Sequence, residues 1–207
     1  MTVVQPSKIV CVGRNYAAHA RELGNEVPKQ PLLFFKPPSS LIGPGDAIVL
    51  PAASSQVEYE SEIAVVIGKR ARKVSERDAL SYVRGFTCAN DVSARDLQKS
   101  DGQWGRAKGF DTFCSVGPIV AEGLDWKKLE VFGRLNGEQR QHGATTDMVF
   151  GIPMLIEYIS HVMTLEPGDL ILTGTPEGVG RLKAGDVIEV EIPGIGTLSN
   201  PVIEDAP

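Results

Sequence analysis

The 207-residue sequence is poor in the features that mark whole classes of protein. It has only three cysteines, Cys11, Cys88 and Cys114. They are odd in number, far apart and set among apolar residues, which argues against a disulfide framework and predicts buried free thiols in a reducing compartment. Positive charge is not in surplus: 21 Lys and Arg against 26 Asp and Glu leave a net charge of -5. That is the wrong sign for a chain that neutralises phosphates, so no nucleic-acid partner is expected. The densest basic run, Lys69 to Lys73, reads as a solvated strand exit. No apolar run is long enough to cross a bilayer, and the start, Met1 to Lys8, lacks the charged, apolar, then small-residue order of a leader. A cytoplasmic protein with no membrane partner is expected. A phosphate-loop ending and a dinucleotide-type glycine spacing are missing as well.

What is present is ordinary globular composition, 42% hydrophobic and 23% charged, in a chain long enough to bury a large core. No repeat or linker divides it, so residues 1–207 are expected to form a single domain. Apolar runs of about five residues recur between glycines and prolines, and few stretches have helical periodicity. Strands are predicted at Lys8 to Val12, Leu32 to Lys36, Ser61 to Gly68, Leu170 to Leu172, Val187 to Ile192 and Thr197 to Leu198. Asn136-Gly137 predicts a tight hairpin between Val131–Leu135 and Glu138–His142. Helices are predicted from Asn15, as N-cap, to Leu23 with Gly24 beyond; from Ser75, paired with Asp78, to Val83; and from Pro153, with Leu155, Ile156, Ile159, Val162 and Met163 on the buried face. The fold class is α+β, dominated by mixed sheet.

Five places carry chemistry. In Glu58-Tyr59-Glu60-Ser61-Glu62, strand alternation puts three carboxylates on one face, which requires screening water, protons or a hard cation among them; solvated glutamates at an exposed strand end are the alternative. Asp91 ends an apolar strand, placed either to add a ligand to a metal or to cap the following turn. His19 and Glu22 lie three apart on one helix face, as a general base and its orienting acid would, and as surface pairs often do. The turn Leu172 to Gly180 offers hydroxyls and N–H groups to an anion, or is a plain turn. Lys108, among small and apolar residues, could stabilise an enolate or be a surface charge.

Taken in order, Val12 to Tyr16, Phe34-Phe35-Lys36-Pro37, Glu60-Ser61-Glu62, Asn90 to Asp96, Lys108 to Asp111 and Thr173 to Val179 resemble the fumarylacetoacetate hydrolase family. The resemblance implies a mixed β-sheet roll with a few short helices, assembled as a homodimer. It implies a Mg²⁺ or Mn²⁺ ion held by Glu60, Glu62 and Asp91, with Glu58 in support where many relatives have Asp. His19 and Glu22 become a dyad on a lid helix that orders over ligand, Lys108 holds the enolate, and Arg14, Tyr16, Gln98, Gly174 and Thr175 contact a small 2-oxo acid. The activity implied is carbon–carbon bond hydrolysis of an acylpyruvate such as fumarylpyruvate or acetylpyruvate, with water activated by His19, and decarboxylation of oxaloacetate through the same enolate. The alternative is a decarboxylase, isomerase or hydratase of 2-hydroxy-dienoates from aromatic-compound degradation. The His19–Glu22 pair favours hydrolysis on this reading and disfavours a non-catalytic 2-oxo acid binder.

Overall fold

The run Ser61 to Ile67 is apolar on both sides of its alternation, the pattern of a strand covered on both faces. In the computed structural model, which describes residues 4–205, it is the central strand of the largest sheet. Met1, Thr2 and Val3 of the N-terminal stretch considered above lie outside the described residues. The sheet has seven strands in the order β2 (Leu32–Lys36), β1 (Ile9–Gly13), β12 (Leu170–Leu172), β6 (Ser61–Ile67), β7 (Val83–Asp91), β9 (Cys114–Ala121) and β3 (Leu41–Ile42). The β1–β12 and β3–β9 pairs are parallel and the others antiparallel. A second sheet runs β11 (Glu138–Ala144), β10 (Glu130–Leu135), β14 (Val187–Ile192), β15 (Gly196–Glu204), β4 (Ile48–Leu50). Short strands β13 (Gly180–Arg181), β5 (Val57–Tyr59) and β8 (Ser93–Ala94) form a third. The helices α1 (Ala17–Glu22), α2 (Arg95–Asp101), α3 (Gly105–Lys108) and α4 (Ile152–Val162) are short. The fold is β-rich mixed sheet, as expected, and no helix among the described residues is long and apolar enough to cross a membrane.

Packing follows the alternation of β6. Ile63, Val65 and Ile67 pack with Val131, Val190 and Ile192 of the second sheet and with Leu155, Ile156 and Ile159 of α4. Ala64 and Val66 pack the other way, with Ile9, Cys11, Leu170, Leu172, Cys114 and Val116. Burying each such Val, Leu or Ile side chain contributes about 1.5–3 kcal/mol. Glu62 shares the face of Ala64 and Val66, so the strand that builds the core also delivers a carboxylate to its edge. All three cysteines are free and buried, and Lys69, Arg70, Arg72 and Lys73 are exposed beyond β6.

Several local expectations need correction. Asn15 does not cap α1: Tyr16 holds that position, while the buried Asn15 amide donates to the carbonyls of Phe150 (3.1 Å) and Thr173 (2.8 Å) and accepts from the Phe150 N–H (2.8 Å). Tertiary partners outbid the local cap. Gly24 does follow α1, with φ +68°. The helix expected over Ser75–Val83 shrinks to one 3₁₀ turn, Ala79–Tyr82, with the Ser75 hydroxyl bonding the Asp78 carboxylate (2.8 Å) in a separate turn before it. Val162 points to solvent at the end of α4 rather than into the core. The strand expected at Thr197–Leu198 is the longer β15, and β9, α2 and α3 carry no clear periodicity in the sequence. The Asn136-Gly137 turn forms as expected, both residues at positive φ (54° and 80°), as its type requires.

Candidate active site

The acidic run is not one strand. It breaks at Glu60, between β5 and β6, which belong to different sheets. The break is held by the Asp91 N–H donating to the Glu60 carbonyl (2.9 Å) and the Glu60 N–H donating to Asn90 Oδ1 (3.0 Å). Glu60, Glu62 and Asp91 are thereby brought together, all buried, with ligand oxygens within 4.8 Å of one another.

Three buried cations surround them. Lys108 Nζ bonds Glu60 Oε2 and Asp91 Oδ2, both at 2.8 Å, Lys36 Nζ bonds Asp91 Oδ1 at 2.6 Å, and Arg95 bonds Glu58 (2.8 Å) and Glu60 (2.7 Å). Burial opposes ionisation of Glu60, but Lys108 and Arg95 outweigh it and hold its pKa well below the carboxylate range. Burial likewise opposes charge on Lys108, and Asp91 and Glu60 outweigh that, so its pKa is raised and the ammonium is kept. Glu62 is the exception. Among the described residues its carboxylate has one hydrogen bond, from the Gly174 N–H (2.7 Å), and burial, then Asp91 and Glu60, push its pKa up. Four carboxylates, counting Glu58, face three cations. The uncompensated one belongs to an all-oxygen donor set, which suits a hard divalent ion. Asp91 accepts no backbone N–H among its side-chain bonds, so it is not a cap.

His19 is buried on α1, its Nδ1 at 3.3 Å from Glu22 Oε2. Glu22 also accepts from the Gly178 N–H (3.0 Å), so the loop after β12 touches the acidic cluster through Gly174 and the dyad through Gly178. A cavity of about 440 Å³ opens between these groups. Its wall includes His19, Glu22, Glu60, Glu62, Lys108, Arg14, Gln98, Gly174 and Thr175. Tyr16 and Asp91 are not on that wall: Asp91 is held by Lys108 and Lys36, and Tyr16 is buried at a bridge to Met148, where burial and then Glu62 raise its phenol pKa. Gln98 accepts from Arg95 (2.5 Å). Lys36 and Arg95 were not read from the sequence as site residues, although each lies in a segment that carried the family resemblance. The available signal was charge: buried acids require cations, and these are the basic residues beside them.

Residues 8–203 match the family described as fumarylacetoacetate (FAA) hydrolase C-terminal. The chain belongs to the fumarylacetoacetate hydrolase family. A mitochondrial oxaloacetate tautomerase of Arabidopsis thaliana is 49% identical over 197 residues, 92% of this chain and 88% of that protein. The crystal structure of a 5-carboxymethyl-2-hydroxymuconate delta-isomerase from Mycobacterium smegmatis is 47% identical and superposes with a TM-score of 0.92, covering 99% of this chain and 81% of that one. A 2-hydroxyhepta-2,4-diene-1,7-dioate isomerase from Mycobacterium marinum has the same identity and TM-score of 47% and 0.92, over 100% of this chain and 78% of that one.

Proposed function

We propose that the protein is a divalent-cation-dependent isomerase that moves a proton between carbon and oxygen, or between two carbons, of a small 2-oxo acid. Keto–enol exchange of oxaloacetate is the simplest case and double-bond migration in a 2-hydroxy-dienoate the longer one. The observation that carries this reading is the convergence on one cavity of two buried carboxylates, Glu60 and Glu62, a buried ammonium that joins Glu60 to Asp91, and a histidine backed by a glutamate. The named activities of the relatives, tautomerase and isomerase, support it.

Glu60, Glu62 and Asp91 would hold Mg²⁺ or Mn²⁺, which as a Lewis acid would lower the cost of negative charge on the 2-oxo group. Lys108 is a fixed positive donor for the same developing charge, and it needs no reorganisation as the proton leaves. With Nδ1 engaged by Glu22, the other ring nitrogen of His19 has no hydrogen bond among the described residues and would take a proton from the substrate and return it elsewhere. The dyad was expected to activate water, but a proton relay within the substrate needs the same pair, so it does not by itself favour hydrolysis. Arg14 and Lys99 also line the cavity and have no ion pair among the described residues, which supports a substrate with a second carboxylate.

The test is enol–ketone relaxation of oxaloacetate, followed by absorbance with metal-loaded protein, beside pyruvate release from acetylpyruvate and fumarylpyruvate. Faster relaxation that EDTA abolishes supports the proposal. Pyruvate release without it would return the protein to the hydrolases.

A further inference from the structure

The β10–β11 hairpin contributes no residue to the cavity wall and takes no part in the chemistry above, yet one of its side chains reaches the site's scaffold. On β11, Gln139 and Arg140 are both exposed and Gln141 is buried, because the register with β10 slips between Gly133 and Arg134. Such a bulge re-aims the residues beyond it. Gln141 accepts from the Ser61 N–H (2.9 Å), midway between Glu60 and Glu62, and donates to Thr175 Oγ1 (2.8 Å) and the Pro176 carbonyl (2.8 Å). Thr175 closes the circuit by donating to the Ser61 carbonyl (2.9 Å). The oxygen and both amide hydrogens of the side chain are therefore used. Close approach depends on glycines: a Cβ on Gly133 would lie 2.4 Å from Ser61 Oγ, on Gly143 2.7 Å from Pro176 Cβ, and on Gly178 2.0 Å from the Arg140 carbonyl oxygen.

We infer that Gln141 is a positioning residue that pins loop 173–178 to β6, so that one clamp sets both the Gly174 N–H against Glu62 and the Gly178 N–H against Glu22. It is not on the cavity wall and acts only through these partners. The effect on turnover rests on the proposed isomerase reading; the clamp itself does not.

The experiment uses Gln141→Met, which is close in size and makes none of the bonds, and Gln141→Glu, which keeps an acceptor for Ser61 but sets a carboxylate oxygen against the Pro176 carbonyl. Mn²⁺ affinity is measured by calorimetry and hydrogen exchange over residues 16–23 by mass spectrometry, with kcat and KM for oxaloacetate relaxation. Changes one layer behind metal ligands typically cost about 10–100-fold in affinity or activity. The expected result is a loss of that order in Mn²⁺ affinity, faster exchange over 16–23, and a fall in kcat with KM little changed. If Gln141→Met does not fold, Gln141→Glu gives the same readings. Wild-type Mn²⁺ affinity and exchange in a folded variant, even one of lower melting temperature, would overturn the inference and reduce Gln141 to a structural residue. Absence of relaxation activity in the wild type, with the binding and exchange effects intact, would sink the isomerase reading and leave the clamp standing.

Discussion

Replacing Lys108 by Met removes the one cation shared by two members of the acidic triad, and the consequence can be worked from its neighbours. Breaking a buried ion pair from one side typically costs about 3–5 kcal/mol, because the remaining charge is left without compensation. Here each abandoned carboxylate keeps a second cation, Arg95 at 2.7 Å from Glu60 and Lys36 at 2.6 Å from Asp91. The lower end, about 3 kcal/mol, therefore applies to the metal-free protein. For a chain of this size that is a fall in melting temperature of about 6–12 °C. A divalent ion then does in the variant what the ammonium did before. Mg²⁺ or Mn²⁺ at a hundred times the wild-type Kd stabilises the wild type by about 2.7 kcal/mol, and at that same concentration the gain should be larger in the variant, since a competing positive charge has gone and binding is tighter. The assay is thermal and urea unfolding of both proteins, with EDTA and with each metal. A loss below about 1 kcal/mol, or an equal loss with and without metal, would refute the charge balance drawn here.

Glu62→Gln should lower divalent-ion affinity at least tenfold by calorimetry, since a neutral amide replaces the one carboxylate of the triad that makes no ion pair among the described residues; unchanged binding would remove Glu62 from the site. His19→Ala should slow oxaloacetate relaxation about 10²–10⁴-fold, the usual share of a general base, while Mn²⁺ affinity stays near wild type; a parallel loss of metal binding would show that α1 shapes the triad instead. Burial raises the Cys88 and Cys114 thiols to about 12 and lifts Cys11 as well. A native protein at pH 8 should therefore resist Ellman's reagent until denatured. Because these thiols are raised above the ordinary value of 9.0, their contribution to stability is complete below about pH 9 and lost as pH climbs toward 12; stability that did not fall over that window would contradict their burial.

The sequence displayed this site unevenly, for physical reasons. Glu62 was legible because strand alternation is a strict period of two and it keeps its place on the Ala64–Val66 face, whereas Glu60 reaches the same site by a different route, at a break between strands. That break was not legible, because it depends on Asn90, thirty positions away. His19 and Glu22 were legible as neighbours on one helix turn. Asn15 misled for the opposite reason: its amide is free to choose distant carbonyls over the local helix start. Tyr16, which the resemblance put in contact with substrate, is buried and off the cavity wall, a placement set by its bridge to Met148 that no local pattern contains. Lys36 and Arg95 lacked periodicity of any kind, and only the need to compensate buried acids marks them. Gln141 was hidden more deeply: its inward turn comes from a slipped register between two strands, which no pattern along one strand contains.

Solvent deuterium uptake at C3 of oxaloacetate, followed by proton NMR in D₂O with metal-loaded protein, tests the central claim most directly. A site that shuttles a proton between carbon and oxygen through His19 should accelerate uptake over the metal-only background, and His19→Ala should abolish most of the acceleration while EDTA abolishes all of it. No acceleration by the wild type, in a preparation that does release pyruvate from an acylpyruvate, would contradict it.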